Sequence, residues 1–331
     1  MTSFGPPSGN KLRLPYGLVL KNRLVKSAIS EKLAIDNLPV PSHLRMYRTW
    51  AEGGWAALIT GNITVDDAYL GTIGDVALSE TNMAMALEKW SAWAQVAQGH
   101  NCHMIAQLSH PGRQSPIGAG KKRFFAKNIA PSAIPLNLGD NLIACCASAV
   151  VFGTPRAMTQ NDIDQVIAAF ASAAKMAFRA GFQGVEIHAG HVRDTKEYDA
   201  MIRQISLIKD EKIDYINLSG GSFEDPKVGL PFVMGDQGII YFMQPQMFFA
   251  SQSISPTATL GCATQDPFFL QASHDISSKF SDLILILTGG FRSRAAVHSA
   301  LESGACSIVG IGRPAIKYPD LPNQAFSQES S

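Results

Sequence analysis

Short apolar runs alternate with longer amphipathic stretches along this chain. Seven runs have the length and composition of buried parallel strands, and helical patterns separate most of them. They span residues 22–28, 55–60, 102–108, 183–188, 213–219, 283–288 and 306–311. Repeated strand-then-helix units predict an α/β fold whose parallel sheet has right-handed crossovers.

Two of the helices are clearly marked by the pattern. Thr159 and Asp162 form a capping box, and Gly181 ends the helix that follows. A second helix is predicted over residues 79–99. The residues expected to face inward are Ile163, Val166, Ile167, Phe170, Ala174 and Ala177 on the first helix, and Met83, Leu87, Trp90 and Ala94 on the second.

The last two strands each run into a glycine turn. Gly289 and Gly290 follow the first of them, and Gly312 and Arg313 follow the second. Glycines let backbone N–H groups approach an anion, and the N-terminus of a following helix adds a positive dipole end. In (βα)8 barrels the loops after strands seven and eight form the usual phosphate site. The sequence predicts such a site here, with two ordinary βα turns as the alternative.

Composition fits one barrel domain. The chain has 331 residues, 46% of them hydrophobic, and a net charge of +1; a barrel takes about 250 residues plus insertions. The near-neutral charge argues against a nucleic-acid partner. We expect a cytoplasmic protein without a membrane segment, because no signal-peptide core is present and no uninterrupted apolar stretch reaches about 18 residues. Without CxxC spacing, the cysteines are predicted to be buried reduced thiols: Cys102, Cys145, Cys146, Cys262 and Cys306.

Nine sequence blocks carry a family resemblance. They occur in family order between residues 11 and 321 and read LVLKNRLVKSAIS, MYRTWAEGGWAALITGN, AQLSHPGRQSP, IAPSAIPL, FGTPRAMT, AGFQGVEIHAGH, INLSGGSFE, TGGFRSRAA and IVGIGRP. Together they resemble the NADH:flavin oxidoreductase branch of the old yellow enzyme family, in particular its fungal NADH oxidase-like members. The resemblance implies a single (βα)8 TIM-barrel domain over residues 1–331 that binds FMN and takes hydride from NAD(P)H.

The resemblance also implies where FMN binds. Gln107 matches the family's flavin-contacting glutamine, and its amide offers both a donor and an acceptor. The other implied contacts follow the first two strands: Ser27, Ala28 and Ile29 after the first, and Gly61 and Asn62 after the second. The FMN phosphate would occupy the two glycine turns.

His188 and His191 match the family's H-x-x-H pair. In the family this pair donates hydrogen bonds to the carbonyl or phenolate oxygen of a small-molecule substrate. A metal site that adds His103 and His110 is the alternative. It is disfavoured because no carboxylate stands at a recognisable ligand spacing.

The chain departs from the family pattern directly after this pair. The family continues with a glycine and a tyrosine that protonates the substrate, whereas this chain has Val192, Arg193 and Asp194. Only 23 residues separate His188 from Lys212, and residues 195–209 are predicted to form one helix. A βαβ repeat needs about 30 residues. We therefore predict that the fourth helix is absent, together with the fifth strand, whose basic residue faces the flavin N1 edge in the family.

A barrel that lacks one strand has two unpaired edges or a distorted closure. A homodimer would be one way to cover such edges. Residues 228–264 form an atypical insertion with the apolar run 238–243, which leaves a substitute strand, an interaction surface and an incorrect splice model as open alternatives. The leading function is transfer of hydride from NAD(P)H through FMN to oxygen or an activated alkene. A non-redox isomerase or cyclase and an inactive binding barrel are the alternatives.

Overall fold

The computed structural model describes residues 7–123, 126–138, 141–188, 205–207, 213–219 and 269–327. Within them, each of the seven predicted runs forms a strand of one parallel sheet, which confirms the α/β prediction. The strands are β1 (Leu24–Lys26), β2 (Ala57–Ile59), β3 (His103–Ser109), β4 (Gly184–His188), β5 (Ile216–Leu218), β6 (Leu285–Thr288) and β7 (Ile308–Ile311).

The spatial order of the strands is β5-β6-β7-β1-β2-β3-β4. Two short strands, Ile63–Thr64 and Val76–Ala77, extend the sheet beside β3, so that nine of its strands lie in the described residues. In the part of the chain that the structure describes, β4 pairs only with β3 and β5 pairs only with β6. Among the described residues, each of these two strands is therefore unpaired along one side, and we call the space between them the β4–β5 gap.

The helices are α1 (Pro41–Glu52), α2 (Met83–Gln95), α3 (Leu142–Val151), α4 (Gln160–Ala180), α5 (Leu270–Lys279), α6 (Arg294–Glu302), α7 (Pro314–Lys317) and α8 (Leu321–Ser327). Short strand pairs join Leu12–Arg13 to Val19–Leu20 and Ile129–Ala130 to Arg156–Ala157. None of the described helices is long and apolar enough to cross a membrane.

Alternating side chains along the strands divide the core into two layers, because successive residues of a strand point to opposite faces. One face packs against the helices and includes Leu24, Leu58, Met104 and Leu287. The opposite face forms the inner cluster and includes Val25, Ala57, Ile59, Ile105, Ile286 and Ile308. The polar residues of the candidate site follow this inner face toward the carboxyl ends of the strands.

All four tryptophans are buried in the outer layer. Trp50 lies on α1, Trp90 and Trp93 lie on α2, and Trp55 precedes β2. Tyr47 packs edge-on against Trp50 and Trp93, with ring centroids 5.0 and 5.1 Å apart. Trp50 and Trp55 also reach the carboxyl-terminal segment, where their indole N–H groups donate to the Ala315 and Pro319 carbonyl oxygens (2.8 and 2.6 Å). The large rings thus fill the outer layer around α1 and α2.

The predicted ends of α4 are confirmed. The Thr159 side chain accepts from the Asp162 backbone N–H, and Gly181 ends the helix in the left-handed conformation. Part of the predicted inward face is wrong, however, because Ile163 and Ile167 are 38% and 62% exposed. The residues that α4 buries are instead mostly small, and this narrow stripe of Ala173, Met176, Ala177 and Ala180 lets the helix pack closely.

Two further predictions need correction. Met83 was expected to face inward, but it is the first residue of α2 and is 37% exposed. The prediction of buried cysteines is right for Cys102 and Cys306 and wrong for Cys145 and Cys146, which are exposed on the apolar helix α3. Cys262 lies outside the described residues.

The gap region is described only in part. Of the predicted helix over 195–209, the structure describes residues 205–207, which are helical, and Ile205 is buried in the outer core. The atypical segment 228–264 lies outside the described residues. On β4, Val185 and Ile187 are 39% and 64% exposed. The outer face of this edge strand is thus unusually open for an apolar strand.

Candidate active site

The two glycine turns lie side by side at the carboxyl edge of the sheet, because β6 and β7 pair through Thr288 and Gly310. Gly289 and Gly290 have φ angles of 103° and 84°, in the left-handed region that favours glycine. An added Cβ at Gly312 would meet no atom within 4 Å, so a ligand can come close to this backbone. Arg313 follows at the start of α7 and is exposed. This arrangement has both features that a phosphate site requires, an open backbone turn and a cation.

The ends of β1 and β2 also lie side by side. Ser27, Ala28 and Ile29 follow β1, whereas Gly61 and Asn62 follow β2. A Cβ at Gly61 would collide with the Ile29 carbonyl oxygen and with the Glu31 carboxylate. Glycine is therefore needed there for steric reasons, and the predicted contacts of both strand ends share one edge.

A buried cation supports these strand ends from the outer layer. The Lys26 Nζ donates to the Ile59 carbonyl oxygen (2.7 Å) and to the Tyr47 hydroxyl (3.1 Å). Tyr47 in turn donates to Glu31, whose carboxylate also accepts from the Gly61 N–H (2.9 Å). Burial lowers the pKa of Lys26 to about 8, although the nearby Glu31 opposes this shift. The cluster ties β1 and β2 to α1, and sequence reasoning missed it despite the lysine within an apolar run.

A chain of polar side chains crosses the interior of the sheet. The Gln107 Nε2 donates to Glu186 Oε1 (2.7 Å), and Glu186 Oε2 accepts from Tyr215 Oη and Asn217 Nδ2 (both 3.1 Å). Glu186 lies on β4 and Asn217 on β5, so these contacts span the β4–β5 gap. Burial raises the pKa of Glu186, and the hydrogen bonds from Gln107, Asn217 and Tyr215 oppose that shift.

The chain continues to β1. Thr288 Oγ1 donates to Asn217 Oδ1 (2.9 Å) and lies 2.9 Å from Ser27 Oγ. A hydroxyl has one proton, so Ser27 must donate to Thr288. Gly310 stands between them, and a Cβ there would clash with both hydroxyls. Five side chains are thus linked in an open series along the inner face of the curled sheet, and we call them the interior polar ring: Gln107, Glu186, Asn217, Thr288 and Ser27.

Gln107 is 3% exposed, and its Oε1 has no hydrogen-bond partner among the described residues. A buried carbonyl oxygen without a donor costs about 1–3 kcal/mol, so such an atom indicates a ligand that donates. An isoalloxazine ring carries one N–H on its pyrimidine edge. The residues present therefore fit FMN, because the Gln107 carbonyl oxygen is available to accept from this N–H group.

His188 ends β4 opposite Ser109 and is 5% exposed. It lies two residues after Glu186, so both side chains point to the inner face. His191 lies outside the described residues, as do Val192, Arg193 and Asp194.

The two histidines of the alternative metal site make other contacts. His103 Nε2 lies 2.9 Å from the Val19 carbonyl oxygen, and His110 Nδ1 accepts from the Gly112 N–H (3.1 Å). Across the described ranges, no three metal-ligating side chains form a cluster. The neighbouring Arg113 donates to the Ile134 and Pro135 carbonyl oxygens, which is a loop-stabilising role.

Sequence reasoning missed Glu186, Tyr215, Asn217 and Thr288. The available signal was the presence of polar residues at every second position of otherwise apolar strands, as in Tyr215 and Asn217. Such alternation indicates that one strand face is polar, but the pattern does not identify the partner strand.

A parallel α/β barrel sheet with a polar interior and two glycine turns after its last strands defines a TIM-barrel enzyme that holds a phosphate-bearing cofactor. A model of the NADH:flavin oxidoreductase / NADH oxidase family matches residues 17–192. The chain belongs to this family, the old yellow enzyme family, and is an oxidoreductase that uses FMN and NAD(P)H.

Two relatives align with nearly the whole chain. The NADH-dependent flavin oxidoreductase iliE of Hypocrea jecorina is 35% identical over 368 residues, covering 94% of this chain and 86% of the relative. The NADH-dependent flavin oxidoreductase iccE of Talaromyces variabilis is 34% identical and covers 94% and 84%. Among solved structures, morphinone reductase has a TM-score of 0.63 at 17% identity, over 98% of this chain and 90% of that one. This structural likeness confirms the barrel fold.

Proposed function

We propose that this flavoenzyme passes hydride from NAD(P)H through FMN to molecular oxygen and, more slowly, to activated alkenes. The observation that carries the proposal is the buried Gln107 Oε1 of the interior polar ring, which has no hydrogen-bond partner within the described ranges. It stands on the same carboxyl edge as the two glycine turns, so one ligand with a ring and a phosphate would satisfy both features.

The bound FMN supplies hydride acceptance and donation. Gln107 would hold the pyrimidine edge of the ring, and the other contacts would follow the ends of four strands: Ser27, Ala28, Ile29, Gly61 and Asn62 beside the ring, and Gly289, Gly290, Gly312 and Arg313 at the phosphate. His188 and His191 would donate hydrogen bonds to the oxygen of the acceptor substrate, which polarises its double bond.

The preference for oxygen follows from the missing acid. Alkene reduction needs a proton at the carbon opposite the hydride, and a positioned acid contributes about 10² to 10⁴ in rate. Arg193, the residue nearest in register to the family's tyrosine, stays protonated in proteins and is a very poor proton donor. Hydride transfer to FMN and reoxidation by oxygen need no such acid.

We further propose that residues 1–331 form one shortened barrel domain, cytoplasmic and with a small-molecule acceptor. The alignment with the Hypocrea relative spans 368 positions although this chain has 331 residues, so the alignment must place gaps in this chain. The open outer face of β4 also supports the loss of a βα unit. A homodimer that covers the β4–β5 gap is part of this proposal.

Stopped-flow measurement of both half-reactions tests the function. We expect purified protein to be yellow, to release FMN on denaturation, and to be reoxidised much faster by oxygen than by cyclohexenone. Rapid turnover of cyclohexenone would show that another group supplies the proton, and Tyr198→Phe and Tyr241→Phe would identify it. Colourless protein that does not respond to added FMN would favour the non-redox or binding alternatives.

A further inference from the structure

The hydrogen bonds of the interior polar ring have a fixed donor-to-acceptor order. An ionised carboxylate only accepts hydrogen bonds, and Glu186 receives three, from Gln107, Tyr215 and Asn217. Asn217 must therefore turn its NH₂ group to Glu186 and its carbonyl oxygen to Thr288, and this is the arrangement found. Every donor and acceptor in the ring follows from the charge on one residue.

This order determines what Gln107 offers to a ligand. Its NH₂ group is held by Glu186, so that the carbonyl oxygen is the end of the amide without a partner among the described residues. If Glu186 were neutral, the Gln107 amide could turn over and present its NH₂ group instead. The same carboxylate joins β4 to β5, which have no backbone pairing with each other in the described part of the chain.

We infer that Glu186 is a positioning residue for Gln107: it fixes the acceptor end of that amide toward the flavin, and through the same contacts it holds β4 to β5 across the gap. This inference rests on the proposed function, since it requires FMN beside Gln107. Glu186 itself need not touch FMN.

A double-mutant cycle on FMN affinity tests the inference. In titrations of the full-length apo-protein, Glu186→Gln is expected to raise the FMN dissociation constant about fivefold. The reason is that no charge then fixes which end of the Gln107 amide faces the flavin. In a Gln107→Leu background the same substitution should change it less than about twofold, because the group that it acts through is gone. The absorption spectrum of bound FMN should shift with Glu186→Gln.

Tyr215→Phe is the matched control. It removes one hydrogen bond to the same carboxylate and leaves the contact with Gln107 intact. It should lower the unfolding midpoint of the apo-protein and change the FMN dissociation constant less than about twofold. If Glu186→Gln does not fold, Glu186→Asp enters the cycle, since its shorter chain keeps the charge and cannot reach both Gln107 and Asn217.

Equal losses in both backgrounds, or no loss with Glu186→Gln, overturn the positioning role and leave the proposed function standing. Wild-type apo-protein that binds no FMN overturns both.

Discussion

Arg313 is the residue on which FMN affinity should depend most. Charge-assisted hydrogen bonds to phosphate contribute about 1.5–3 kcal/mol each, whereas a neutral hydrogen bond contributes about 0.5–1.5 kcal/mol. Arg313→Glu, which also adds repulsion, should weaken FMN binding far more than tenfold, and Gln107→Leu should cost up to about tenfold. Quenching of flavin fluorescence during titration of the apo-protein measures both values.

Lys317→Glu provides the control for net charge, because Lys317 is an exposed cation at the other end of α7. It should leave the FMN dissociation constant nearly unchanged. Equal losses for Arg313→Glu and Lys317→Glu would mean that the effect is a general one of surface charge.

His110 predicts a pH dependence of stability. Burial, with a smaller effect of Lys122, lowers the pKa of His110 to about 4, and its Nδ1 must be unprotonated to accept from Gly112. A depressed folded-state pKa contributes stability that is present above the unfolded value and lost as the pH falls toward 4. The loss from this group is up to about 3 kcal/mol.

Urea unfolding at pH 7, 5.5 and 4 measures this loss. His110→Asn keeps an acceptor and cannot gain a proton, so its free energy of unfolding should fall less over that range. Parallel curves for the two proteins would assign the acid sensitivity to other groups.

At the scale of elements, the sequence predicted correctly those features that depend on residues close together in the chain. The seven strands follow from short apolar runs, and the ends of α4 follow from Thr159, Asp162 and Gly181, whose capping contacts lie within a few residues. The exposure of Ile163 and Ile167 could not be predicted from such local patterns, because it depends on the close packing of α4, which buries mostly small residues.

The candidate site likewise has a part that the sequence predicts and a part that it does not. The glycine turns and Gln107 stand in recognisable blocks at strand ends. Two of the partners of Glu186, Tyr215 and Asn217, stand 29 and 31 residues further along the chain. They lie just before and on β5, which does not pair with β4 in the described part of the chain. Such contacts depend on how the whole sheet curls, and the strand pattern alone does not determine them.

Gly310 gives a prediction for the β6–β7–β1 part of the sheet. Gly310→Ala would force Thr288 and Ser27 apart and should destabilise the protein by about 1–3 kcal/mol, as overpacking does. Gly312→Ala meets open space and should change the free energy of unfolding of the apo-protein by less than about 0.5 kcal/mol. Urea unfolding of the two variants compares them directly, and equal stability would contradict the packing at Gly310.

At the scale of the whole molecule, the β4–β5 gap should limit stability. In the described part of the chain only side chains join β4 to β5, and two such sheet edges with an open apolar face on β4 favour association between chains. We expect a low or poorly cooperative thermal transition, or a dimer on size-exclusion chromatography. A sharp two-state transition from a monomer would show that the barrel closes fully by another route.

Because of where the tryptophans lie, their fluorescence reports only part of this molecule. All four are buried, and none stands in the sequence after residue 93. Trp50 and Trp55 also donate their indole N–H groups to the Ala315 and Pro319 carbonyl oxygens. The tryptophan emission therefore reports the packing around α1, α2 and the α7 segment, whereas far-ultraviolet circular dichroism reports every helix and strand. If opening begins at β5 beside the β4–β5 gap and leaves the α7 segment in place, the ellipticity will begin to fall while the fluorescence maximum stays at short wavelength.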